Sequence, residues 1–96
     1  MQNYHEPPEE LSTTTRDIAR ALHSLKEEVE AIDWYHQRLQ NCSNAQLKKI
    51  LTHNRDEEIE HACMALEWLR RNMGGWDLNL KTYLFTNSEI TKIESK

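Results

Sequence analysis

Apolar residues in the first half of the chain recur at alternating steps of three and four, which is the spacing of one helix face. They are Ile18, Leu22, Leu25, Val29, Ile32 and Leu39, with His36 in the single polar slot. The pattern predicts a first helix over residues 12–40 with a narrow apolar seam. Residues 1–11 are polar and contain Pro7-Pro8, so we expect an extended lead-in or the first turn of a helix.

A second periodic segment follows after a short connection. Ser43 and Gln46 have the spacing of a capping box, and Gly74-Gly75 are expected to end the helix. We therefore predict a second helix over residues 43–73. Because so few residues separate the two helices, they are expected to form an antiparallel hairpin. The seam of the second helix reads Leu47, Leu51, Asn54, Glu58, His61, Ala65 and Trp68.

The remaining residues are predicted to form a short third helix over 76–85 and a C-terminal tail over 86–96. Thr86 and Glu89 have the spacing of another capping box, which would open a last turn. The fold class is therefore all-α, with a single domain over residues 1–96. Two long helices and one short helix cannot bury all their apolar surface, so we expect two chains to pair by two-fold symmetry into a four-helix bundle.

Composition and net charge limit the classes of function that the chain can have. Of the 96 residues, 38% are hydrophobic and 29% are charged, which is typical of a soluble, helix-rich protein. The formal net charge of -4 argues against nucleic acid as a partner and is compatible with attracting cations. No apolar run approaches the roughly 18 residues of a membrane span, and the N-terminus has no signal-peptide pattern.

The two cysteines, Cys42 and Cys63, have no C-x-x-C spacing and form no disulfide framework. This usage fits a reducing cytosol. We expect Cys42 to be a loop thiol and Cys63 to be a packed thiol.

Polar residues on the second seam point to a metal site. Glu58 and His61 form a Glu-x-x-His pair where the pattern calls for apolar residues, and Glu28 lies at the edge of the first seam. An unpartnered buried carboxylate costs several kcal/mol, yet neither seam carries a Lys or Arg. Di-iron carboxylate bundles use a Glu from each of two helices and a Glu-x-x-His from each of two more. This chain holds half of that set.

Pairing two chains would complete the set with four carboxylates and two imidazoles. Two divalent cations would balance the charge of the four carboxylates. Mixed oxygen and imidazole ligands favour iron or manganese, while the lack of thiolate ligands argues against structural zinc. The alternative is an exposed charged face in which Glu57, Glu60 and Arg55 pair along the helix.

Two further features occupy the first helix. Tyr35 is one heptad after Glu28, so it would either hydrogen-bond a ligating carboxylate, serve in electron transfer, or simply pack. Glu27, Glu30 and Trp34 form a second, more outward stripe. That stripe would be either an acidic patch that attracts cations to the site or a solvated acidic face.

Several segments together resemble the encapsulated ferritins, small ferritin-like ferroxidases that are packaged inside encapsulin nanocompartments. The segments are EEVEAIDWYHQR (27–38), HNRDEEIEHACMALEWLRRN (53–72) and TYLFT (82–86), together with HEP (5–7) and ITKIE (90–94). They occur in the family's order and spacing over nearly the whole chain.

The resemblance implies a two-helix hairpin with a short C-terminal helix, paired into a ferritin-like bundle and assembled further into a decamer, a pentamer of dimers. It implies a di-iron ferroxidase centre at the dimer interface, with two irons and ligands from both chains. The family's ligands match Glu28, Glu58 and His61, with Tyr35 close by. The site through which metal enters matches Glu27, Glu30 and Trp34.

The expected function is thus oxidation of Fe(II) by dioxygen, in the cytoplasm and inside an encapsulin nanocompartment. Separate cargo members carry a C-terminal shell-docking peptide, whereas this sequence ends at Glu94-Ser95-Lys96 without one. The expectations are a truncated chain, a piece of a shell fusion, or another packaging route, and the shell partner is inferred from the family only. The alternatives are a non-redox metal-binding dimer and a plain helical interaction module with solvated carboxylates.

Overall fold

A computed structural model of the protein describes residues 4–94, and all the regular structure in that range is helical. Helix α1 spans Thr13–Asn41, α2 spans Ala45–Asn72 and α3 spans Trp76–Tyr83. Short 3-10 helices cover Pro8–Glu10 and Ile90–Lys92. The prediction of an all-α protein with two long helices and a short third is confirmed. Between residues 4 and 94, no helix combines the length and the apolarity needed to cross a bilayer.

The polar residues at the helix starts satisfy amide groups that have no partner within the helix. Ser12 caps α1 by accepting a hydrogen bond from the Thr15 amide at 3.0 Å. At α2 the predicted cap, Ser43, is wrong. Asn44 is the cap, and its Oδ1 accepts from the Leu47 amide at 2.8 Å. Because α2 begins one residue later than a Ser43 cap requires, Gln46 does not reach the third helical position and no capping box forms.

The later boundaries also differ from the prediction. Helix α3 ends at Tyr83, two residues before the predicted end, because Leu84 is extended and Phe85 has a φ of 59° in the left-handed region. The predicted capping box at Thr86 does not form. Instead Glu89 caps the last 3-10 helix and accepts from the Thr91 amide at 3.3 Å. Residues 8–10, predicted as part of the lead-in, form a 3-10 turn after Pro7. Predictions for residues 1–3 and 95–96 lie outside the described residues.

Helices α1 and α2 pack against each other as an antiparallel hairpin, since only residues 42–44 connect them. The contact between α1 and α2 covers only part of the apolar seams that the sequence predicts. Ile18, Leu25, Ile32 and Leu39 are half-buried, but Val29 of the same seam is 54% exposed. Leu69, which the predicted seam missed, has 0% exposure and is the only fully buried side chain in residues 4–94.

Large apolar side chains remain exposed on both sides of the hairpin. Exposed Leu22 and Val29 of α1 share a heptad stripe with His36, which lines a groove with Thr52 of α2. Exposed Leu47 of α2 lines a different groove with Arg38. At 100° per residue, the α1 stripe that contains His36 and the α2 stripe that contains Leu47 lie on opposite sides of the plane through the two helix axes. We call them the Val29 face (Leu22, Val29 and Ile59) and the Trp68 face (Leu47, Ile50, Met64 and Trp68).

Ion pairs connect the end of α2 to α3. The Arg70 guanidinium donates to both Glu67 carboxylate oxygens at 2.7 and 2.8 Å and to Asp77 Oδ1 at 2.6 Å. Arg71 donates to Glu67 at 2.7 Å, and Lys81 Nζ lies 3.0 Å from Asp77 Oδ2. Hydrogen bonds from Arg70 and then Arg71 lower the pKa of Glu67 from 4.5 to about 2. Of these pairs, only Arg70 with Asp77 crosses from α2 to α3, and the others lie within one helix.

We predict that Leu69→Ala lowers the free energy of unfolding by about 2 to 5 kcal/mol, because it removes a fully buried side chain and leaves a cavity. Leu78→Ala is the matched control, since Leu78 is 51% exposed, and its loss should be clearly smaller. Urea unfolding followed by circular dichroism at equal protein concentrations measures both. Equal losses in the two variants would contradict a packing centre at Leu69.

A second prediction concerns the ion network. Because the pKa of Glu67 is depressed, its stabilising effect is fully present above pH 4.5 and is lost as pH falls towards about 2. Glu67→Gln should therefore lower the urea midpoint at pH 7, and the gap to the wild type should close over that acidic range. Glu60→Gln, at an exposed position on the same helix, serves as the control. A gap that does not depend on pH would show that the Glu67 charge is not the cause.

Candidate metal centre

Three side chains from the two long helices converge near the middle of the hairpin. Glu58 and His61 are one turn apart on α2, and Glu28 reaches them from α1. One ligand atom from each of the three lies within 4.8 Å of the other two. Residues that are 30 positions apart in the chain therefore meet because α1 and α2 run antiparallel.

One ring nitrogen of His61 faces both carboxylates. Its Nδ1 is 3.7 Å from Glu28 Oε2 and 3.8 Å from Glu58 Oε2. Ligand atoms about 2.1 Å from one ion lie somewhat closer together than this, so modest side-chain movement would bring all three to a metal. The side chains of Glu28 and Glu58 are 23% and 25% exposed, whereas that of His61 is 43% exposed. The cluster is thus enclosed by the hairpin on one side and open on the other.

The prediction placed His61 in the seam, but its position in the structure is at the edge of the helix contact. Along α2, His61 is two heptads after Leu47 and one heptad before Trp68, so it belongs to the Trp68 face. The open side of the cluster is therefore continuous with an exposed apolar surface.

Charge crowding perturbs the ionisation of the cluster. The pKa of Glu28 is raised above its ordinary 4.5, first by a hydrogen bond shared with Glu58, then by burial and by the Glu58 charge. The Glu27 charge acts in the same direction, while His61 opposes it. Within residues 4–94, no Lys or Arg forms an ion pair with Glu28 or Glu58. A bound cation would relieve this crowding, and the oxygen and nitrogen donors suit iron.

Glu57 is a neighbour that the sequence interpretation missed, since we expected it to be solvated. Its Oε2 lies 3.7 Å from His61 Nε2, the ring nitrogen that faces away from Glu28 and Glu58. Its Oε1 lies 3.4 Å from His53 Nε2. The spacing of four residues between His53, Glu57 and His61 was a usable signal, because such positions are neighbours on a helix surface.

The other predicted site residues lie around this cluster without joining it. Tyr35 is half-buried, and the Arg38 guanidinium carbon lies 5.2 Å from its ring centroid. Among the described residues, Tyr35 makes no hydrogen bond to Glu28, Glu58 or His61.

The outward stripe keeps its side chains exposed. Glu30 and Trp34 are exposed, while Glu27 is 66% exposed and places Oε1 3.0 Å from His23 Nε2. The structure therefore provides an acidic stripe beside the cluster, and its role stays a prediction.

An apolar groove between α2 and α3 is separate from the metal cluster. It is lined by Cys63, Leu66, Leu80, Leu84 and Phe85, and none of the three clustered ligands borders it. Cys63 is exposed, so the expectation of a packed thiol was wrong. Its position on α2 turns it outward into this groove, away from α1.

The chain is similar in sequence to several known proteins. A sequence profile of the EncFtn-like family matches residues 3–87. The chain is 61% identical over 93 residues to a "Ferritin-like protein" of Thermotoga maritima, covering 97% of this chain and 82% of that protein. It is 54% identical over 91 residues to an "Encapsulated ferritin-like protein" of Rhodospirillum rubrum, covering 95% of this chain and 65% of that protein. This chain therefore spans just under two thirds of the length of the Rhodospirillum relative.

A solved structure shows the same architecture. A crystal structure of a protein from Nitrosomonas europaea superposes with a TM-score of 0.89 at 56% sequence identity, covering 93% of this chain and 99% of that one.

We predict that Glu28→Gln raises the urea midpoint of the metal-free protein at pH 7. Because the folded-state pKa of Glu28 is raised, the penalty of its charge is absent below pH 4.5 and grows as pH rises through the raised pKa. The gap to the wild type should therefore close as pH falls. Unfolding in the presence of a chelator measures it, with Glu60→Gln as the control. A lower midpoint for Glu28→Gln at pH 7 would contradict carboxylate crowding.

Proposed function

The chain belongs to the EncFtn-like family, the encapsulated ferritins, and we propose that it is a ferroxidase that oxidises Fe(II) to Fe(III) with dioxygen. The observation that carries this proposal is the cluster of Glu28, Glu58 and His61, which offers two carboxylates and an imidazole without a basic residue to neutralise them. Iron is the substrate, two ions per dimer interface.

The active centre is shared between two chains. One chain supplies half of the ligand set of a di-iron carboxylate bundle, and the open side of its cluster lies on the Trp68 face. Exposed Leu47, Ile50, Met64 and Trp68 on that face would gain from burial against a second copy. Pairing by two-fold symmetry brings both copies of each ligand to one interface. Residues 1–96 then act as one half-bundle domain that a second copy completes.

The ligands carry distinct roles in this centre. Glu28 and Glu58 would hold the two Fe(II) ions, and His61 would supply the nitrogen ligand. Two Fe(II) ions lose one electron each, and one dioxygen takes up both electrons with two protons from solvent, which gives two Fe(III) ions and hydrogen peroxide. His61 would bind iron through the lone pair of a ring nitrogen, since a protonated imidazole has none to offer.

Neighbouring residues assist delivery and electron movement. Glu27 and Glu30 are exposed carboxylates beside the centre and, with exposed Trp34, form the site through which iron enters. Tyr35 lies one heptad after Glu28 on α1, and in the assembled centre it would hydrogen-bond a ligand or carry an electron. The Fe(III) product leaves for a mineral that is held elsewhere.

Higher assembly and packaging form part of the same proposal. Pairing through the Trp68 face leaves the Val29 face exposed, so a second kind of contact is available for a ring of five dimers. One relative is named "Encapsulated ferritin-like protein". That name supports a cytoplasmic location inside an encapsulin nanocompartment, with the shell protein as partner.

The test is stoichiometric Fe(II) oxidation with simultaneous recording of dioxygen consumption. Glu58→Ala and His61→Ala should each reduce the rate at least about tenfold, since each removes a ligand. Glu60→Ala, at an exposed position on the same helix, should retain it. Full activity in either ligand variant would refute the assigned centre.

Native mass spectrometry with and without Fe(II) reports assembly and metal count together, and a monomer oxidising iron at the wild-type rate would refute the shared site.

The rival function is a passive metal site that buffers iron or holds the dimer together. The same cluster would bind Fe(II) in that case, but no dioxygen would be consumed on its addition.

A further inference from the structure

We propose that His23 is a metal ligand. With Glu27 it forms a second cation site on the outside of α1, and its imidazole makes that site prefer Fe(II) and Zn²⁺ over Ca²⁺ and Mg²⁺. We call this pair the outer site. The inference rests on the proposed function only in taking the stripe of Glu27, Glu30 and Trp34 as the place where iron enters. Binding at the outer site can be tested without any oxidation of iron.

His23 and Glu27 are the closest pair of a histidine and a carboxylate among the described residues. Nε2 of His23 lies 3.0 Å from Glu27 Oε1, and the two residues are four positions apart on α1. Nitrogen and oxygen ligands that are about 2.1 Å from one ion lie roughly 3.0 to 3.4 Å from each other. The two atoms are therefore already at the separation that a shared ion requires. In the central cluster, by contrast, His61 Nδ1 is 3.7 Å from its nearest carboxylate oxygen.

The outer site is accessible, and its carboxylates are not neutralised by basic side chains. The His23 side chain is 30% exposed and that of Glu27 is 66% exposed. Glu30, which is also exposed, follows three positions after Glu27 and seven after His23, so all three lie on one stripe of the helix. Within residues 4–94, no Lys or Arg forms an ion pair with Glu27 or Glu30. A dication would therefore meet one nitrogen donor and two carboxylates on this stripe.

The outer site adjoins the central cluster without sharing a ligand with it. Glu27 directly precedes Glu28, and the Cα atoms of neighbouring residues are about 3.8 Å apart. Neighbouring helix residues point about 100° apart, so Glu28 turns towards α2 while Glu27 stays on the outside. The exposed fractions agree, since the Glu28 side chain is 23% exposed.

The nitrogen donor determines which cations the outer site selects. Ca²⁺ and Mg²⁺ take oxygen ligands, whereas imidazole suits iron, zinc and the neighbouring transition metals. Carboxylates alone would attract every divalent cation. The His23 imidazole would add affinity for the transition-metal ions only, so the stripe would favour iron over Ca²⁺ and Mg²⁺ beside the oxidation centre.

The competing explanation is that His23 only forms a surface ion pair with Glu27. An exposed pair of this kind contributes little to stability, and it would not distinguish between metals. His36 provides the matched control, because it is an exposed histidine on the same helix and forms no ion pair in the described part of the chain.

The experiment uses the full chain with Glu58→Gln and His61→Gln together, which removes two ligands of the central cluster. This background protein is compared with the same protein carrying His23→Gln or His36→Gln in addition. Imidazole ¹H–¹³C correlation spectra show where an ion binds, and the signal that is absent from the His23→Gln protein identifies His23. Titration calorimetry gives the Kd of Zn²⁺ and of Ca²⁺.

Zn²⁺ should shift the His23 signal, and Ca²⁺ should not. His23→Gln should weaken Zn²⁺ binding about tenfold or more, and it should leave the Kd of Ca²⁺ within about twofold. His36→Gln should leave both constants unchanged. If the background protein loses its helical circular dichroism, the His23 signal of the wild type still decides whether Zn²⁺ binds there.

The contrary outcomes are distinct. A His23 signal that does not move at saturating Zn²⁺ overturns the outer site. An equal loss of Zn²⁺ and Ca²⁺ affinity in His23→Gln overturns the selectivity, and so does an equal loss of Zn²⁺ affinity in His36→Gln. If the wild type consumes no dioxygen with Fe(II), the proposed function fails, and the Zn²⁺ and Ca²⁺ titrations still decide the role of His23.

Discussion

Repulsion between two carboxylates is the constraint on which the central part of this protein depends. Packing of α1 on α2 brings Glu28 against Glu58, and neither has a Lys or Arg partner among the described residues. The resulting rise in the Glu28 pKa means that the folded chain accommodates the pair at a cost when both are ionised. A hairpin selected for stability alone would carry apolar residues at these positions.

The same hairpin is incomplete as a packing unit. Leu69 is the only fully buried side chain between residues 4 and 94, and large apolar residues line both the Trp68 face and the Val29 face. His61 lies on the Trp68 face, so one of the two exposed apolar surfaces is also the open side of the ligand cluster. In the proposed dimer, burial of that surface and ligation of iron would favour the same association.

Much of this arrangement could be predicted from the sequence. The helices begin and end within two residues of the predicted bounds, and the Glu-x-x-His spacing with Glu28 identified the three clustered residues. Heptad spacing could not say which side of each seam meets the neighbouring helix, and the seam residues Val29 and Trp68 are 54% and 37% exposed in the single chain. Ser43 and Asn44 are adjacent polar residues, and only the packed start of α2 selects Asn44 as the cap. The contact of Glu57 with His61 depends on side-chain rotamers, which spacing permits but does not determine.

Helix α3 meets the hairpin through an ion pair as well as through apolar residues such as Leu66 and Leu80. The Arg70 guanidinium bridges Glu67 and Asp77, Lys81 adds to Asp77, and α3 has no fully buried residue. Coulomb attraction between partly exposed groups is screened by dissolved ions, whereas burial of apolar surface is strengthened by many salts. Ionic strength therefore acts on the two kinds of contact in opposite directions. A concentrated salt solution would weaken the pair of Arg70 and Asp77 while it strengthens the apolar contacts, which makes that pair the link between α2 and α3 most responsive to its ionic surroundings.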